Sequence, residues 1–248
     1  MHIELAGATP AVELNDISKS FSGVHALRGV SFSAAGTGVL GLIGPNGSGK
    51  STLLGIMSGL IQPTSGRYSI DGSSARGRSA DALAQGGVSR TFQHSRIVPD
   101  LRCWENVAVG HRRRASASGF GWRKERDRAA EAMAKVGILE IADAWPADIT
   151  AAQARKIEIA RALAGSPRVV LFDEPAAGLS EFDARDLVDV VREVSKIALV
   201  VLVEHNLHIV RAVAKLVLVL INGALEASGS PDEITESPLV RQAYLGVE

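Results

Sequence analysis

The segment GPNGSGKS, Gly44 to Ser51, constrains the fold of this chain more than any other stretch. It matches the phosphate-binding loop pattern G-x-x-x-x-G-K-[ST] and lies between an apolar run, Val39 to Ile43, and a helix-period segment that begins KSTLLGIM. A strand, a glycine-rich loop and a helix in this order are typical of a parallel sheet covered by helices. The sequence therefore predicts an α/β fold with a P-loop nucleotide-binding core.

The spacing inside this loop follows from the chemistry of phosphate binding. Glycines at 44, 47 and 49 can adopt backbone angles that other residues avoid, so successive amides turn inward around the phosphates. Lys50 supplies a positive charge and Ser51 a hydroxyl for Mg²⁺, at the positive end of the following helix. We therefore expect ATP and Mg²⁺ as cofactors. The expected nucleotide contacts from this region are Gly44, Pro45, Asn46, Gly47, Ser48, Gly49, Lys50, Ser51 and Thr52.

Short β-rich runs alternate with helix-period segments along most of the chain, which favours a mainly parallel sheet. The predicted strands of this sheet are 39–43, 169–172, 198–203 and 216–221. Residues 11–38 and 66–72 indicate an antiparallel β subdomain, with SIDG as a turn. Between 93 and 168 the pattern predicts helices, over 104–114, 124–136 and 153–164. We predict one domain over residues 1–248, with an inserted helical subdomain roughly between 94 and 165.

The composition argues against several classes of protein. Lys and Arg together number 27, and Asp and Glu together also number 27, so the formal net charge is zero. The chain therefore has no overall positive electrostatic field that would attract nucleic acid. The longest apolar runs, IALVVLV and LVLVLI, are far shorter than the roughly 20 residues of a membrane-spanning helix. The single cysteine, Cys103, excludes an intrachain disulfide framework, and the start MHIELAGATP does not resemble a secretory signal.

Positive charge is concentrated in the stretch HRRRASASGFGWRKERDR, 111 to 128. Such a run is usually a solvated loop and helix face. The alternative is contact with anionic lipid head groups beside a membrane, and both interpretations stay open at this point.

Two carboxylates follow an apolar strand in VVLFDEP, 169 to 175. Alone, Asp173 and Glu174 are explained as well by a structural role, as a helix cap or a surface pair, as by a role in a functional site. Beside a phosphate loop, an acid at the carboxyl end of a neighbouring strand can reach hydrated Mg²⁺, and we assign this role to Asp173. Glu174, one residue further on, can orient and deprotonate an attacking water. This order of acids predicts hydrolysis of the nucleotide.

His205 and Gln93 follow two further predicted strands. His205 ends the run LVVLVEH and can contact the γ-phosphate and hold the water, whereas Gln93 ends VSRTFQ and can sense Mg²⁺ and water. Each residue alone is more often a packing or surface residue. Strand ends that converge on one crevice nevertheless predict a single site, with His205 catalytic and Gln93 beside the nucleotide and the metal.

In their order along the chain, these motifs resemble those of the ATP-binding subunit of an ABC transporter, and the resemblance covers nearly the whole sequence. The family's aromatic residue that stacks on adenine is matched by Phe21 in SKSFSGVHAL, its glutamine by Gln93 and its switch histidine by His205. Phe21 alternatively packs within the β subdomain. The family's D-loop is matched by AAGLSEFD, with Ser180 and Glu181 where relatives commonly have an asparagine or aspartate and then often a proline.

The resemblance also interprets the segment DITAAQARKIEIARAL, 148 to 163. From the residues alone, Thr150 and Gln153 predict a capped helix start. The family's signature, leucine-serine-glycine-glycine-glutamine, corresponds to Ile149, Thr150, Ala151, Ala152 and Gln153, and in the family this helix start faces the γ-phosphate bound by a second subunit. If either glycine position requires a positive φ or close backbone contact with phosphate, alanine costs on the order of 1 kcal/mol or more and slows turnover.

The segments around Gln93 and at the C-terminus are similar to the importer branch for branched-chain and other hydrophobic amino acids, although a lipopolysaccharide-exporter ATPase has a similar ending. The resemblance implies an ATPase at the cytoplasmic face of the cell membrane. Its implied partners are membrane permease subunits, which dock at residues 94–107, and a solute-binding protein. A second ATP-binding subunit is also implied, and it is either a copy of this chain or a sister subunit. The alternatives are a nucleotide-dependent regulatory subunit with a degenerate signature, and an exporter ATPase. A soluble ABC protein of DNA repair or translation is disfavoured by the neutral charge.

Overall fold

The computed structural model describes residues 10–92, 96–111 and 121–245 of this chain. Its strands are β1 (Pro10–Phe21), β2 (Val24–Ala35), β3 (Gly38–Ile43), β4 (Ser65–Ile70), β5 (Ser73–Ser74), β6 (Val88–Arg90), β7 (Val169–Asp173), β8 (Leu199–Val203), β9 (Leu216–Ile221) and β10 (Ala224–Gly229). Its α-helices are α1 (Lys50–Met57), α2 (Ala80–Gln85), α3 (Cys103–Ala108), α4 (Gly121–Lys135), α5 (Ala151–Ala164), α6 (Glu181–Ser195), α7 (Leu207–Val213), α8 (Pro231–Glu236) and α9 (Pro238–Leu245).

The larger sheet has the strand order β10-β9-β3-β8-β7-β6. Its pairs are parallel except for β9 with β10. Parallel neighbours require crossover connections, and helices between successive strands provide them. The strands predicted at 39–43, 169–172, 198–203 and 216–221 are confirmed. Because β3, β7 and β8 are parallel, the residues that follow them meet at the same edge of the sheet.

The smaller sheet is antiparallel, with the order β2-β1-β4-β5. It confirms the antiparallel β prediction for 11–38 and 66–72, and the turn in SIDG joins β4 to β5. Together the two sheets and their helices confirm the predicted α/β fold.

Alternate residues of the central strands pack on opposite faces of the larger sheet. Leu40, Leu42 and Leu171 join a cluster that includes β1, β2 and α1. Val170 and Phe172 join a second cluster, which is completed by α4, α5 and α6. Strands buried on both faces have no polar alternation, which is why VVLFD and LVVLV read as continuous apolar runs.

Helices occupy the part of the chain where the strand pattern ends. α4 and α5 confirm the helices predicted at 124–136 and 153–164, and each begins a few residues earlier than expected. The helix predicted over 104–114 is shorter: α3 ends at Ala108 and a 3₁₀ turn covers Val109–His111, while 112–114 lie outside the described residues. Gly110 lies so close to α5 that a Cβ there would collide with the carbonyl oxygen of Arg161, so the chain turns at this contact.

The subdomain boundary at 94 and 165 stays a prediction. Within the three described ranges, no helix combines the length and the apolar character needed to cross a membrane.

Candidate active site

The phosphate loop lies between β3 and α1 and is anchored by its own backbone. Ser48 N donates to Pro45 O at 3.2 Å, and Gly223 N donates to Ser48 O at 3.0 Å, which ties the loop to the turn after β9. Gly47 and Gly49 have φ of +78° and +105°, in the region that favours glycine. A Cβ at Gly47 would meet nothing within 4 Å, whereas one at Gly49 would lie 2.5 Å from Ala26 O. Gly47 therefore borders open space and Gly49 borders protein.

Lys50, the first residue of α1, is buried and folded back onto the loop. Its Nζ donates to Gly44 O at 2.7 Å and to Pro45 O at 3.0 Å. Burial lowers the pKa of Lys50, while the carboxylates of Glu174 and Asp173 oppose that shift. The buried hydroxyl of Ser48 has no hydrogen-bond partner among the described residues. The loop thus carries a cation, a buried hydroxyl without a partner and, at Gly47, a side that borders open space, which together fit a bound phosphate.

The two acids after β7 have different partners. Asp173 Oδ2 forms an ion pair with Arg90 Nη2 at 2.8 Å, and both side chains are nearly buried. Glu174 has a φ of +48°, and its N–H donates to Val203 O at 2.9 Å. A non-glycine residue in the left-handed region carries local strain and is often found at functional sites. β7 ends at Asp173, and the positive φ of Glu174 breaks the strand conformation directly after it.

The residues after β8 meet those after β7. His205 Nδ1 lies 3.9 Å from Glu174 Oε2 and 4.0 Å from Glu204 Oε2. The imidazole of His205 is largely exposed, but Glu204 is fully buried. The structure therefore brings the predicted pair Glu174 and His205 together at the sheet edge, with a second carboxylate beneath them.

Phe21, predicted to stack on adenine, ends β1 with 45% of its surface exposed. Lys19 Nζ lies 4.8 Å from the ring centroid. The hairpin of β1 and β2 adjoins the phosphate loop, since Ala26 O of β2 is the atom nearest to a Cβ at Gly49. An exposed ring in this place disfavours the alternative of packing within the β subdomain, and its role in adenine binding stays a prediction.

Gln93 lies outside the described residues, but the chain on both sides of it is bound to α5. Arg155 Nη1 donates to Phe92 O at 2.8 Å and to Glu158 Oε2 at 2.9 Å. Glu158 Oε1 accepts from Arg96 N at 2.7 Å. Arg161 Nη1 donates to Arg96 O at 2.8 Å. Side chains three residues apart on α5 thus connect that helix directly to the segment that carries Gln93.

The helix start predicted at Thr150 is confirmed as a capping box. Gln153 N donates to Thr150 Oγ1 at 3.2 Å, and Thr150 N donates to Gln153 Oε1 at 2.9 Å. Ala151 and Ala152 are the first two residues of α5, and neither has a positive φ. The condition for backbone strain at the two alanines is therefore not met in this structure.

The D-loop segment leads into α6, where Ser180 is the N-cap. Asp183 N donates to Ser180 Oγ at 3.2 Å, and Ser180 Oγ donates to Asp183 Oδ2 at 2.6 Å. The serine that replaces the family's asparagine or aspartate keeps a capping side chain. Phe182, in the first turn of α6, is 81% exposed.

Sequence reasoning missed Arg90, Glu204 and the α5 set of Arg155, Glu158 and Arg161. Glu204 carried a signal, because it stands at the end of a buried strand directly before His205. Arg90 and the α5 residues carried none, since a single charged residue in a helix or strand is usually solvated.

Of the charged stretch 111–128, the structure describes His111 and residues 121–128. Residues 121–128 lie on α4, where basic side chains such as Arg123, Lys124 and Arg128 are exposed. Both interpretations of the stretch, a solvated helix face and contact with anionic lipid head groups, require exposed basic side chains, so both stay predictions.

Sequence comparison identifies related proteins over almost the whole chain. A profile of the family described as ABC transporter matches residues 27–177, and one described as Branched-chain amino acid ATP-binding cassette transporter matches residues 227–248. The high-affinity branched-chain amino acid transport ATP-binding protein BraF of Pseudomonas aeruginosa is 32% identical, over 96% of this chain and 98% of BraF.

Structure comparison agrees. The ADP conformation of MJ1267, an ATP-binding cassette of an ABC transporter, has a TM-score of 0.85 at 26% identity and covers 97% of this chain and 100% of its own. The ATP-binding cassette MJ0796, solved as a dimer in a post-hydrolysis state with ADP and Pi, has a TM-score of 0.75 at 26% identity and covers 89% of this chain and 98% of its own.

Proposed function

Because the chain belongs to the ABC transporter family of ATPases, we propose that it is the ATP-hydrolysing subunit of an importer for branched-chain or other hydrophobic amino acids. The observation that carries the proposal is the convergence of the phosphate loop, Glu174 and His205 at one edge of the larger sheet. The profile matched at 227–248 and the name of BraF support the choice of solute.

ATP binding is assigned to the loop and its flanking residues. The backbone N–H groups between Gly44 and Gly49, a donor that Pro45 lacks, and the ammonium group of Lys50 bind the phosphates, and Phe21 stacks on adenine. Lys50 is already paired with Gly44 O and Pro45 O, so phosphate binding exchanges these carbonyl contacts for charged ones.

The residues of this edge fit Mg²⁺ bound together with the nucleotide. Ser51 offers an exposed hydroxyl at the start of α1 and Asp173 a carboxylate at the end of β7, and Gln93 is the third proposed ligand. Within the described ranges, no cluster of three or more His, Cys, Asp or Glu side chains forms a metal centre. Mg²⁺ bound with a nucleotide typically has few protein ligands, because phosphate oxygens and waters fill its other positions. When bound, it would neutralise part of the phosphate charge.

Hydrolysis is assigned to Glu174 and His205. Glu174 accepts a proton from the attacking water, and its side chain is 21% exposed, so water can reach it. His205 donates a hydrogen bond to the γ-phosphate. With Nδ1 lying 3.9 Å from Glu174 Oε2, the histidine can hold the glutamate and the phosphate in one arrangement.

The signature surface supports a site shared by two ATP-binding subunits. The side chains of Thr150 and Gln153 cap each other, and the structure shows no acceptor for the N–H groups of Ala151 and Ala152 among its described residues. These donors and the helix dipole suit a phosphate bound by a second subunit. Since neither alanine has a positive φ, backbone strain does not favour the alternative of a regulatory subunit with a degenerate signature.

The remaining partners follow from the same proposal. Permease subunits dock beside the described residues 96–107, where α5 fixes the segment, and a solute-binding protein delivers the amino acid. The chain acts at the cytoplasmic face of the cell membrane, and we propose no nucleic acid among its partners.

Uptake of labelled leucine by the source organism tests the proposal. Deletion of the gene should abolish high-affinity leucine uptake, and the wild-type gene should restore it while Glu174→Gln does not. Uptake of a labelled sugar in the same cells is the control and should be unchanged. Normal leucine uptake in the deletion strain contradicts the assignment of the solute.

A further inference from the structure

Glu204 is a fully buried carboxylate at the end of β8, and the mechanism above gives it no role. A buried carboxylate is costly to desolvate, and it is usually retained where its contacts serve the structure or the site. Its position between Val203, the last residue of β8, and His205 places it at the floor of the proposed hydrolysis site.

The two oxygens of Glu204 have different surroundings. Oε1 accepts a hydrogen bond from the N–H of Ala176 at 2.9 Å, two residues after Glu174. Oε2 has no hydrogen-bond partner among the described residues and lies 4.0 Å from His205 Nδ1. One carboxyl group thus joins the chain after β7 to the chain after β8.

The free oxygen faces the imidazole at a distance that a small rotation of the exposed histidine can close. Hydrogen bonds of catalytic groups are often long in structures without substrate and shorten in the complex. A proton shared between Glu204 Oε2 and His205 Nδ1 directs Nε2, with its own hydrogen, toward the crevice. An N–H at Nε2 is the donor that contact with a phosphate oxygen requires.

Burial raises the pKa of Glu204, and the nearby carboxylate of Glu174 raises it further, whereas the N–H of Ala176, the imidazole of His205 and the backbone N–H of His205 lower it. The groups that face it thus include the carboxylate of Glu174, the imidazole of His205 and two backbone N–H groups. A carboxyl group in these surroundings retains a proton more readily than an exposed one does, which supports a shared proton.

We propose that Glu204 is a positioning residue, which binds the backbone of Ala176 with one oxygen and fixes the tautomer and orientation of His205 with the other. This inference rests on the proposed function of His205 in hydrolysis, but its structural part is measured without turnover.

The first test is the tautomer of His205, measured by NMR on protein with ¹⁵N-labelled histidine. The signal is assigned by comparison with His205→Gln. We expect a hydrogen on Nε2 in the wild type, retention of this state in Glu204→Gln and a mixture of tautomers in Glu204→Leu. Glu174→Gln is the matched control, because Glu174 Oε2 is as close to Nδ1 as Glu204 is. A change in Glu174→Gln but none in Glu204→Leu overturns the proposal.

The second test is steady-state ATP hydrolysis. Glu204→Leu should lower kcat about tenfold, the effect of about 1.4 kcal/mol on a barrier, while KM for ATP changes less than twofold. Glu204→Gln, whose amide oxygen can still accept from Ala176 N, should recover most of the activity. Equal kcat in the wild type and Glu204→Leu overturns the inference alone. A wild-type protein without turnover contradicts the proposed function, and the NMR result then decides the positioning role by itself.

Discussion

Replacing Gly49 by alanine should destabilise the folded protein more than the same change at Gly47. Both glycines have positive φ, and alanine in the left-handed region costs about 1–2 kcal/mol. A Cβ at Gly47 meets nothing within 4 Å, so this backbone cost is the whole effect there. At Gly49 the Cβ lies 2.5 Å from Ala26 O and 2.8 Å from Leu27 Cδ2.

The carbonyl of Ala26 belongs to β2 and cannot move without disturbing the antiparallel sheet. Overpacking of this kind costs about 1–3 kcal/mol in addition. We therefore expect Gly49→Ala to lower the free energy of unfolding by about 2–5 kcal/mol, and Gly47→Ala by about 1–2 kcal/mol.

Urea unfolding without nucleotide measures the difference. With a slope of about 3 kcal/mol per molar, the midpoint of Gly49→Ala should lie about 0.3–1 M below that of Gly47→Ala. In the same preparations Gly47→Ala should bind ATP more weakly than the wild type, because its methyl group enters the open side of the loop. Equal midpoints, or a lower midpoint for Gly47→Ala, would refute the assignment of protein contact to Gly49 and open space to Gly47.

Three further outcomes are expected. Glu204→Gln should gain stability relative to the wild type as pH rises above 4.5. Burial raises the pKa of Glu204, so between 4.5 and the raised pKa the folded wild type binds more protons than the unfolded chain, and its free energy of unfolding falls as pH rises. A stability difference between the two proteins in urea unfolding that does not change with pH would argue against this. The Cys103 thiol should react slowly with iodoacetamide in the folded protein and rapidly in urea, because the side chain is buried and burial raises the pKa of the thiol. Rapid labelling of the folded protein would be inconsistent with this. Phe182→Ser should weaken ATP-dependent dimers of the Glu174→Gln protein in sedimentation, because Phe182 is an exposed aromatic within the D-loop segment. Ile197→Ser, just beyond the other end of α6, serves as the control, and an equal effect of both changes would remove Phe182 from the interface.

The sequence predicts the fold well because its strongest signals are local. The loop from Gly44 to Ser51 is defined by glycine and lysine spacing, and the buried strands are continuous apolar runs. Strand ends at one edge of a parallel sheet then bring Asp173, Glu174 and His205 together without any knowledge of packing. The capping box of Thr150 and Gln153 is also a local pattern.

The contacts that the sequence does not predict join residues far apart in the chain. Arg90 pairs with Asp173, 83 residues away, and Glu204 binds the backbone of Ala176 across two strands. Such pairs depend on the register of β6, β7 and β8 and on the burial of individual atoms. The effect of Ala151 and Ala152 also depends on a backbone angle, which the residue type alone does not fix.

ATP turnover by the purified chain, measured over a range of protein concentrations, tests most directly whether two copies form the hydrolysis site. We predict a rate that rises faster than linearly with concentration and disappears in Glu174→Gln, while ATP binding is retained. Turnover that is strictly proportional to concentration and unaffected by Glu174→Gln would contradict both the shared site and the catalytic role of Glu174.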